Sequence, residues 1–310
     1  MLSFTQTNRA QKSNTEPCSS HEWSESVFLV SSEEDGPSGA TLSYRNIIER
    51  EMENALKEMD RPALGTFISG FSAGLNLSFG ALFMAMVLTF AGGFGSDLTK
   101  QLALAGVSSI AFLFVVIGQT ELFTAHSTMA VLPVLDGRAS IRDLGRIWSV
   151  TYVSNLLGCA AFVGLIAAIG EPMGIATPSA FGSLAGALIE VPWWTILLSG
   201  VVAGWLMGMA TWLSAASRDT IGRIVFVLLT TAAIGFGPFH HAILGTTEVL
   251  SAIVLGAGVA PRAFIPFLVF TTLGNIIGGT VFVALLNYGH IALAGKQKDI
   301  DFQADGIEDS

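Results

Sequence analysis

Long apolar runs alternate with short polar stretches along this chain, and the runs are too long for a water-soluble fold. Residues 64–91 contain no charged side chain, whereas crossing about 30 Å of hydrocarbon takes only roughly 20 helical residues. Six such segments follow one another: about 64–91, 102–135, 146–170, 193–216, 221–258 and 263–289. The pattern predicts an all-α integral membrane protein with six transmembrane helices. Segments two and five exceed the length of one crossing, and each is interrupted midway by polar residues. In segment two these are Gln119, Thr120, Glu121, Thr124, His126 and Ser127; in segment five, Pro238, His240, His241, Thr246, Thr247 and Glu248. Helices broken at bilayer depth persist only where the freed backbone groups face protein or a cavity, so helices two and five are expected to be broken.

A repeat runs through these segments. Ser154-Asn155-Leu156-Leu157-Gly158 in segment three matches Gly274-Asn275-Ile276-Ile277-Gly278 in segment six, and Ser69-Gly70 with Gly74 in segment one matches Ser199-Gly200 with Gly204 in segment four. Three crossings per half turn the second half over, which gives two inverted three-helix repeats. Phe123 precedes Asn155 much as His241 precedes Asn275, so the two interruptions are counterparts. Paired broken helices in inverted repeats mark a permeation pathway near the midplane.

Outside the spans the pattern changes. Ile48, Met52, Leu56 and Met59 recur at helical spacing among charged residues, which predicts an amphipathic helix over 43–62 ahead of the membrane. Residues 1–42 are rich in Ser, Glu and Asn and could bury no core; they are expected to be a disordered cytoplasmic tail. No charged n-region with an apolar h-region and cleavage site marks a secretory signal. The six-span transport domain is assigned to 63–291, and a C-terminal cytoplasmic tail to 292–310.

Charge sharpens this division. Of 310 residues 51% are hydrophobic and 13% charged, against about a quarter charged in a soluble domain. Residues 1–62 carry 17 of the charged side chains and residues 292–310 carry 7, so the net charge of −9 belongs mostly to the tails. A soluble enzyme, a nucleic-acid binder and a disulfide scaffold are excluded. With both termini cytoplasmic, Lys100 and Arg262 alone of the 15 Lys and Arg fall outside, as the positive-inside bias requires. Cys18 and Cys159 lie in unlike surroundings, which argues against a disulfide or a metal cluster.

The remaining motifs divide between packing and chemistry. Gly70, Gly74, Gly200 and Gly204, at four-residue spacing and with Asn155 and Asn275 in the matching spans, read as helix packing. Residues 70–74 also fit G-x-S-x-G, but that motif needs a strand-turn-helix setting. No nucleophile, metal set or cofactor motif survives its context, so no enzyme, no metal and no cofactor are expected. Glu121 and Thr124 satisfy the unwound backbone, and on the functional reading Thr124 also lines a pore; both can hold together. His240 and His241 are intramembrane ionisable residues and so functional candidates, one of them only structural. Their adjacency points them to different faces, against metal binding. Glu248 follows His241 by about two helical turns on the same face; it serves as a proton relay or accepts hydrogen bonds from a neighbouring helix or subunit.

Glu121-Leu122-Phe123-Thr124 in a broken second span, Asn155-Leu156-Leu157-Gly158, Gly204-Trp205-Leu206 with Trp212, Phe239-His240-His241 and Gly274-Asn275-Ile276-Ile277-Gly278-Gly279 resemble, in order, the motifs of the formate/nitrite transporter family. The resemblance covers about residues 60–290. It implies an aquaporin-like fold in the cytoplasmic (inner) membrane and a homopentamer with one pore per protomer. Its implied partners are a small monovalent anion such as formate, nitrite, lactate or hydrosulfide, a proton, and membrane lipid. His241 would be the central pore histidine, with Leu122, Phe123 and Thr124 at the break beside it and Phe239 nearby. The family usually has Asn where this chain has Gly204 and Gly245, as in its YfdC-like branch, and this implies a wider or less polar pore. The expected mechanism passes the anion with a proton supplied at His241. Two rival readings are a neutral-solute channel, although both Asn-Pro-Ala repeats of aquaporins are absent, and a membrane scaffold or sensor with a vestigial pore.

Overall fold

The computed structural model describes residues 42–294. The segments expected as tails, 1–42 and 292–310, lie outside the described residues except at their inner ends. All described regular structure is helical. The first helices are α1 (Tyr44–Asp60), α2 (Ala63–Phe90), α3 (Asp97–Val116), α4 (Phe123–Met129) and the single turn α5 (Leu132–Leu135). Then come α6 (Ile141–Ile169), α7 (Pro178–Ile189), α8 (Trp193–Ala216), α9 (Thr220–Phe236) and α10 (Ala242–Val254). The last are α11 (Phe264–Gly279) and, after a wider π-helical stretch, α12 (Leu286–Ala294).

Helix starts follow the local sequence. Ser43, Ser96, Ser140, Thr177 and Asp219 each offer a side-chain oxygen to an amide of the first turn of α1, α3, α6, α7 and α9, filling donors that a helix leaves unpaired. At α6 the cap is reciprocal, because Asp143 bonds back to the Ser140 amide at 3.1 Å. Among the described residues five stretches are long and apolar enough to cross a membrane: α2, α3, α6, α8 and the run Pro261–His290. Between them α9 and α10, each shorter, flank the break at 237–241. Large apolar side chains such as Leu64, Ile68, Trp193 and Leu198 are exposed on the outside of these helices, an arrangement that hydrocarbon tolerates and water does not.

One helix is missing from the expected pattern. α7 fills the interval 178–189, which falls between apolar segments three and four. Twelve residues are too few to register as a crossing, although Thr177 followed by Pro178 is a helix-start signal. α7 packs against α10 and α2.

α2 pairs with α6 and α8 with α11 at close range. A Cβ added at Gly74 would lie 2.2 Å from the Asn155 carbonyl oxygen, and one at Gly204 would lie 2.2 Å from that of Asn275. Gly70 faces Ser154 and Gly200 faces the Thr271 carbonyl in the same two interfaces. At Gly74, Gly200 and Gly204 backbone meets backbone, so the neighbour has no flexible side chain with which to yield. Gly204→Ala should therefore lower the melting temperature of the detergent-solubilised protein clearly, at a cost of about 1–3 kcal/mol. Gly164→Ala on α6, where a Cβ meets nothing within 4 Å, should leave it within experimental scatter.

Candidate functional site

Two helix breaks face each other in the interior, and each is closed by an asparagine from a distant helix. Asn155 of α6 donates from Nδ2 to the carbonyls of Gly70 at 2.7 Å and Glu121 at 2.8 Å, while its Oδ1 accepts the Phe123 amide at 2.8 Å. Asn275 of α11 does the same for the second break, donating to Gly200 at 2.8 Å and His240 at 2.9 Å and accepting the Ala242 amide at 2.9 Å. Ser69 accepts the Glu121 amide and Ser199 the His240 amide, both at 3.1 Å. Glu121 thus matches His240, and Leu122 matches His241. The register is offset by one residue from the Phe123–His241 correspondence that spacing suggests. Within the first break Gln119 adopts a left-handed conformation, with φ of 53°, which is costly for a residue with a Cβ.

The two histidines are held differently. His240 Nε2 lies 2.8 Å from the Leu188 carbonyl and Nδ1 lies 2.8 Å from Ser199 Oγ, so both ring nitrogens are anchored in protein. His241 begins α10 as its cap, and Nδ1 accepts the Leu244 amide at 3.2 Å. A ring nitrogen that accepts an amide hydrogen carries no proton of its own. The single proton therefore sits on Nε2, 2.7 Å from Thr124 Oγ1 of α4. The edge of the ring meets Phe112 with centroids 5.1 Å apart.

A cavity opens on each side of this pair. One, of about 280 Å³, is lined by His241, Phe239, Phe112, Gly245 and Glu248, with Asp97 and Lys100 from the first turn of α3. The other, of about 350 Å³, lies toward α1 and is lined by Leu122, Glu121, His126, Glu51, Glu58 and Arg61. No residue lines both, and Thr124 lines neither: it is buried where it meets His241. Phe123 also lines neither cavity, because its ring packs on Tyr152 with centroids 4.8 Å apart and on Trp148. The structure therefore joins His241 to Thr124, sets Phe239 and Glu248 in the cavity on one side and Leu122 in the cavity on the other, and turns Phe123 aside.

The α1 side carries a network of charges. Glu121 Oε1 takes Arg61 Nη1 at 2.6 Å, and its Oε2 lies 2.9 Å from His126 Nδ1. His126 Nε2 lies 3.3 Å from Glu58 of α1. The Glu58, Glu121 and His126 ligand atoms lie within 4.8 Å of one another, but Arg61 already supplies positive charge there. Basic side chains tie α1 down: Arg146 of α6 donates to the Met59 carbonyl, and Arg50 donates to the Ala215 carbonyl at 2.8 Å. Burial pushes the Glu51 carboxyl up to about 8, against the pull of His126. Burial, again opposed by His126, raises Glu58 as well.

The sequence that builds this site is matched by a known family. The sequence profile described as formate/nitrite transporter matches residues 45–289. The chain belongs to the formate/nitrite transporter family. It is 33% identical to a probable formate transporter of Methanothermobacter thermautotrophicus over 75% of this chain and 92% of that one. It is 27% identical to the inner membrane protein YfdC of Escherichia coli over 81% of each chain. A solved structure described as a pentameric formate channel with formate bound superposes with a TM-score of 0.64 at 24% identity, covering 74% of this chain and 98% of that one. The family consists of channels and transporters, and this chain is an integral membrane protein.

Of the two readings of Gly204, helix packing and a wider pore, the geometry fits the first. Gly204 does not widen a pore: it lies in the α8–α11 interface against Asn275 and lines neither cavity. Gly245 does line the cavity beside His241, though an added Cβ there would come within 2.6 Å of the Phe267 ring. Sequence reading also missed the bonding role of Asn155 and Asn275, the part of Ser69 and Ser199, and the seat of His126. The matched Ser-Gly and Asn motifs held the signal for the first two.

The raised carboxyls give α1 a pH dependence with a definite sign. Docked α1 holds protons that undocked α1 releases, so docking is strongest below the ordinary glutamate value of 4.5 and is lost as pH rises through about 8. A spin label at exposed Lys57→Cys, with Cys18→Ser, should gain mobility between about pH 5 and 9. Adding Glu51→Gln should flatten that change; a label equally immobile throughout in the parent would contradict it.

Proposed function

We propose that this protein passes small monovalent anions of weak acids, the formate and nitrite class, across the cytoplasmic (inner) membrane, each accompanied by a proton. The observation that carries this reading is the His241–Thr124 bond of 2.7 Å between two cavities that share no lining residue. Residues 63–291 form the transport domain, with six crossings in two inverted, aquaporin-like repeats and both termini cytoplasmic. The matched bonds of Asn155 and Asn275 and the two breaks support this arrangement. In this orientation the α1 cavity opens inward and the Glu248 cavity outward. Exposed apolar flanks suit lipid and neighbouring subunits, and the similar solved channel is a pentamer, so we read the protein as a homopentamer with one pore per protomer.

The chemistry follows from desolvation. A bare anion entering an apolar constriction loses several kcal/mol or more of hydration, whereas the neutral acid loses far less. Leu122, Phe112 and Phe239 supply apolar surface beside the junction. His241 Nε2–H donates to Thr124, which leaves the threonine hydroxyl hydrogen free for a substrate oxygen. The pair thus offers hydrogen bonds to an acid without placing a full charge in the constriction. The neutral ring would serve an uncharged solute as well, which keeps a neutral-solute channel as the second reading.

Reconstituted vesicles separate the two. Inward formate or nitrite gradients should produce rapid uptake with a matching rise in internal acidity, and His241→Asn and Thr124→Val should each reduce both signals by about tenfold or more. Uptake and acidification that survive both substitutions would remove the junction from the pathway. Glycerol flux without weak-acid flux would favour the neutral-solute channel.

A further inference from the structure

The proton that accompanies the substrate needs a source, and the geometry does not give that role to His241. Its Nδ1 is occupied by the Leu244 amide and its Nε2–H by Thr124. A neutral imidazole is a very weak acid, and charging it requires a proton on Nδ1, which breaks the cap of α10. An acid lies in the same cavity. Glu248 is on α10, about 10 Å along the helix axis from His241 at 1.5 Å per residue, and it is only 7% exposed. It makes no hydrogen bond or ion pair with any described residue, and its side chain lines the cavity that His241 also lines. An unpaired carboxylate is expensive in such a place, so a lone buried carboxyl facing a pathway holds its proton at rest.

The surroundings leave Glu248 as the one acid near the middle of that cavity. Asp97 and Lys100 line it at the start of α3. The helices packed against α10 from α2, α7 and α11 have no ionisable side chain. On α6, Cys159 turns to the carbonyls of Gly74 and Ile243, and Tyr152 bonds Thr272. Arg142, Asp143 and Arg146 belong to the first turns of α6, and His126 of α4 is held between Glu58 and Glu121 in the opposite cavity.

We propose that Glu248 is the proton donor of the outer cavity. An entering carboxylate or nitrite takes the Glu248 carboxyl proton, so that one O–H bond breaks on the glutamic acid as one forms on the substrate. The neutral acid moves on to the Nε2–H and hydroxyl of His241 and Thr124, and the Glu248 carboxylate regains a proton from hydronium at the cavity mouth. This inference rests on the weak-acid reading above and assigns it a donor. It also makes Glu248 a charge selector: while its carboxylate awaits a proton, a second anion is repelled.

The test uses the full chain in lipid vesicles with formate as the probe. Glu248→Gln keeps the shape and hydrogen-bonding capacity but has no proton to give. At neutral external pH it should slow formate uptake by about tenfold or more. At acidic external pH, where formic acid is already present, its uptake should approach that of the parent. Glu248→Asp should restore part of the neutral-pH rate. Infrared spectra of the Glu51→Gln protein, free of substrate, should show a protonated-carboxyl C=O component at neutral pH that is lost when Glu248→Gln is added and shifted when Glu248→Asp is added. Equal uptake and the same pH profile in parent and Glu248→Gln, or a band unchanged by Glu248→Gln, would overturn the assignment while leaving the weak-acid reading intact. A parent that moves no weak acid at any pH would defeat both.

Discussion

The structure depends on satisfying backbone groups in the middle of an apolar protein. Two helices stop short and restart there, which frees amides and carbonyls that no water in hydrocarbon could take up. An unpaired buried group costs about 1–3 kcal/mol, and each break exposes several. Asn155 and Asn275 meet this demand with one carboxamide apiece, which spends both amide hydrogens and the carbonyl oxygen. Their bonds to Gly70 and Gly200 also fix the spacing of α2 on α6 and α8 on α11. The close glycine contacts in those interfaces are the condition for the asparagines to reach. Helix packing and the broken helices are thus one constraint.

Much of this was legible in the sequence because it is periodic or repeated. The apolar runs, the polar interruptions and the matched Ser-Gly and Gly-x-x-x-Gly positions can be seen without a partner, and they led to broken helices; His241 beside Thr124 came from the family resemblance. What was not legible is contact across long separations. Asn155 reads as one more small polar residue in a span, and nothing local says that its oxygen serves Phe123, 32 residues earlier. The same limit hid α7, too short to count as a crossing, and with it the Leu188 carbonyl that anchors His240. It also explains why Gly204 could be read as a pore opening as well as a packing position. Absence of a side chain looks like an opening in sequence, but in the fold another backbone occupies the space.

α1 shows a second kind of gap. Its apolar stripe predicted an amphipathic helix, yet periodicity does not say what the polar face meets. In the structure that face brings Glu51, Glu58 and Arg61 to the cavity holding Glu121 and His126. A helix outside the spans therefore supplies side chains to one mouth of the site. Three carboxyls and an imidazole in one partly buried space cannot all be charged freely, so the seating of this helix and the charge of the mouth are coupled.

The same backbone constraint decides which group in the middle can change charge. Capping α10 with an imidazole nitrogen satisfies the Leu244 amide, and this leaves His241 one proton, directed at Thr124. A histidine free in a pore would titrate near neutrality. Here gaining a proton means losing the cap, so fold stability opposes the charge. The residue best placed by sequence to carry a proton is the one that the fold keeps neutral. On the proton-linked reading proposed above, transfer falls to a group whose hydrogen bonds the fold does not require, and the unpartnered carboxyl of Glu248 in the His241 cavity is such a group.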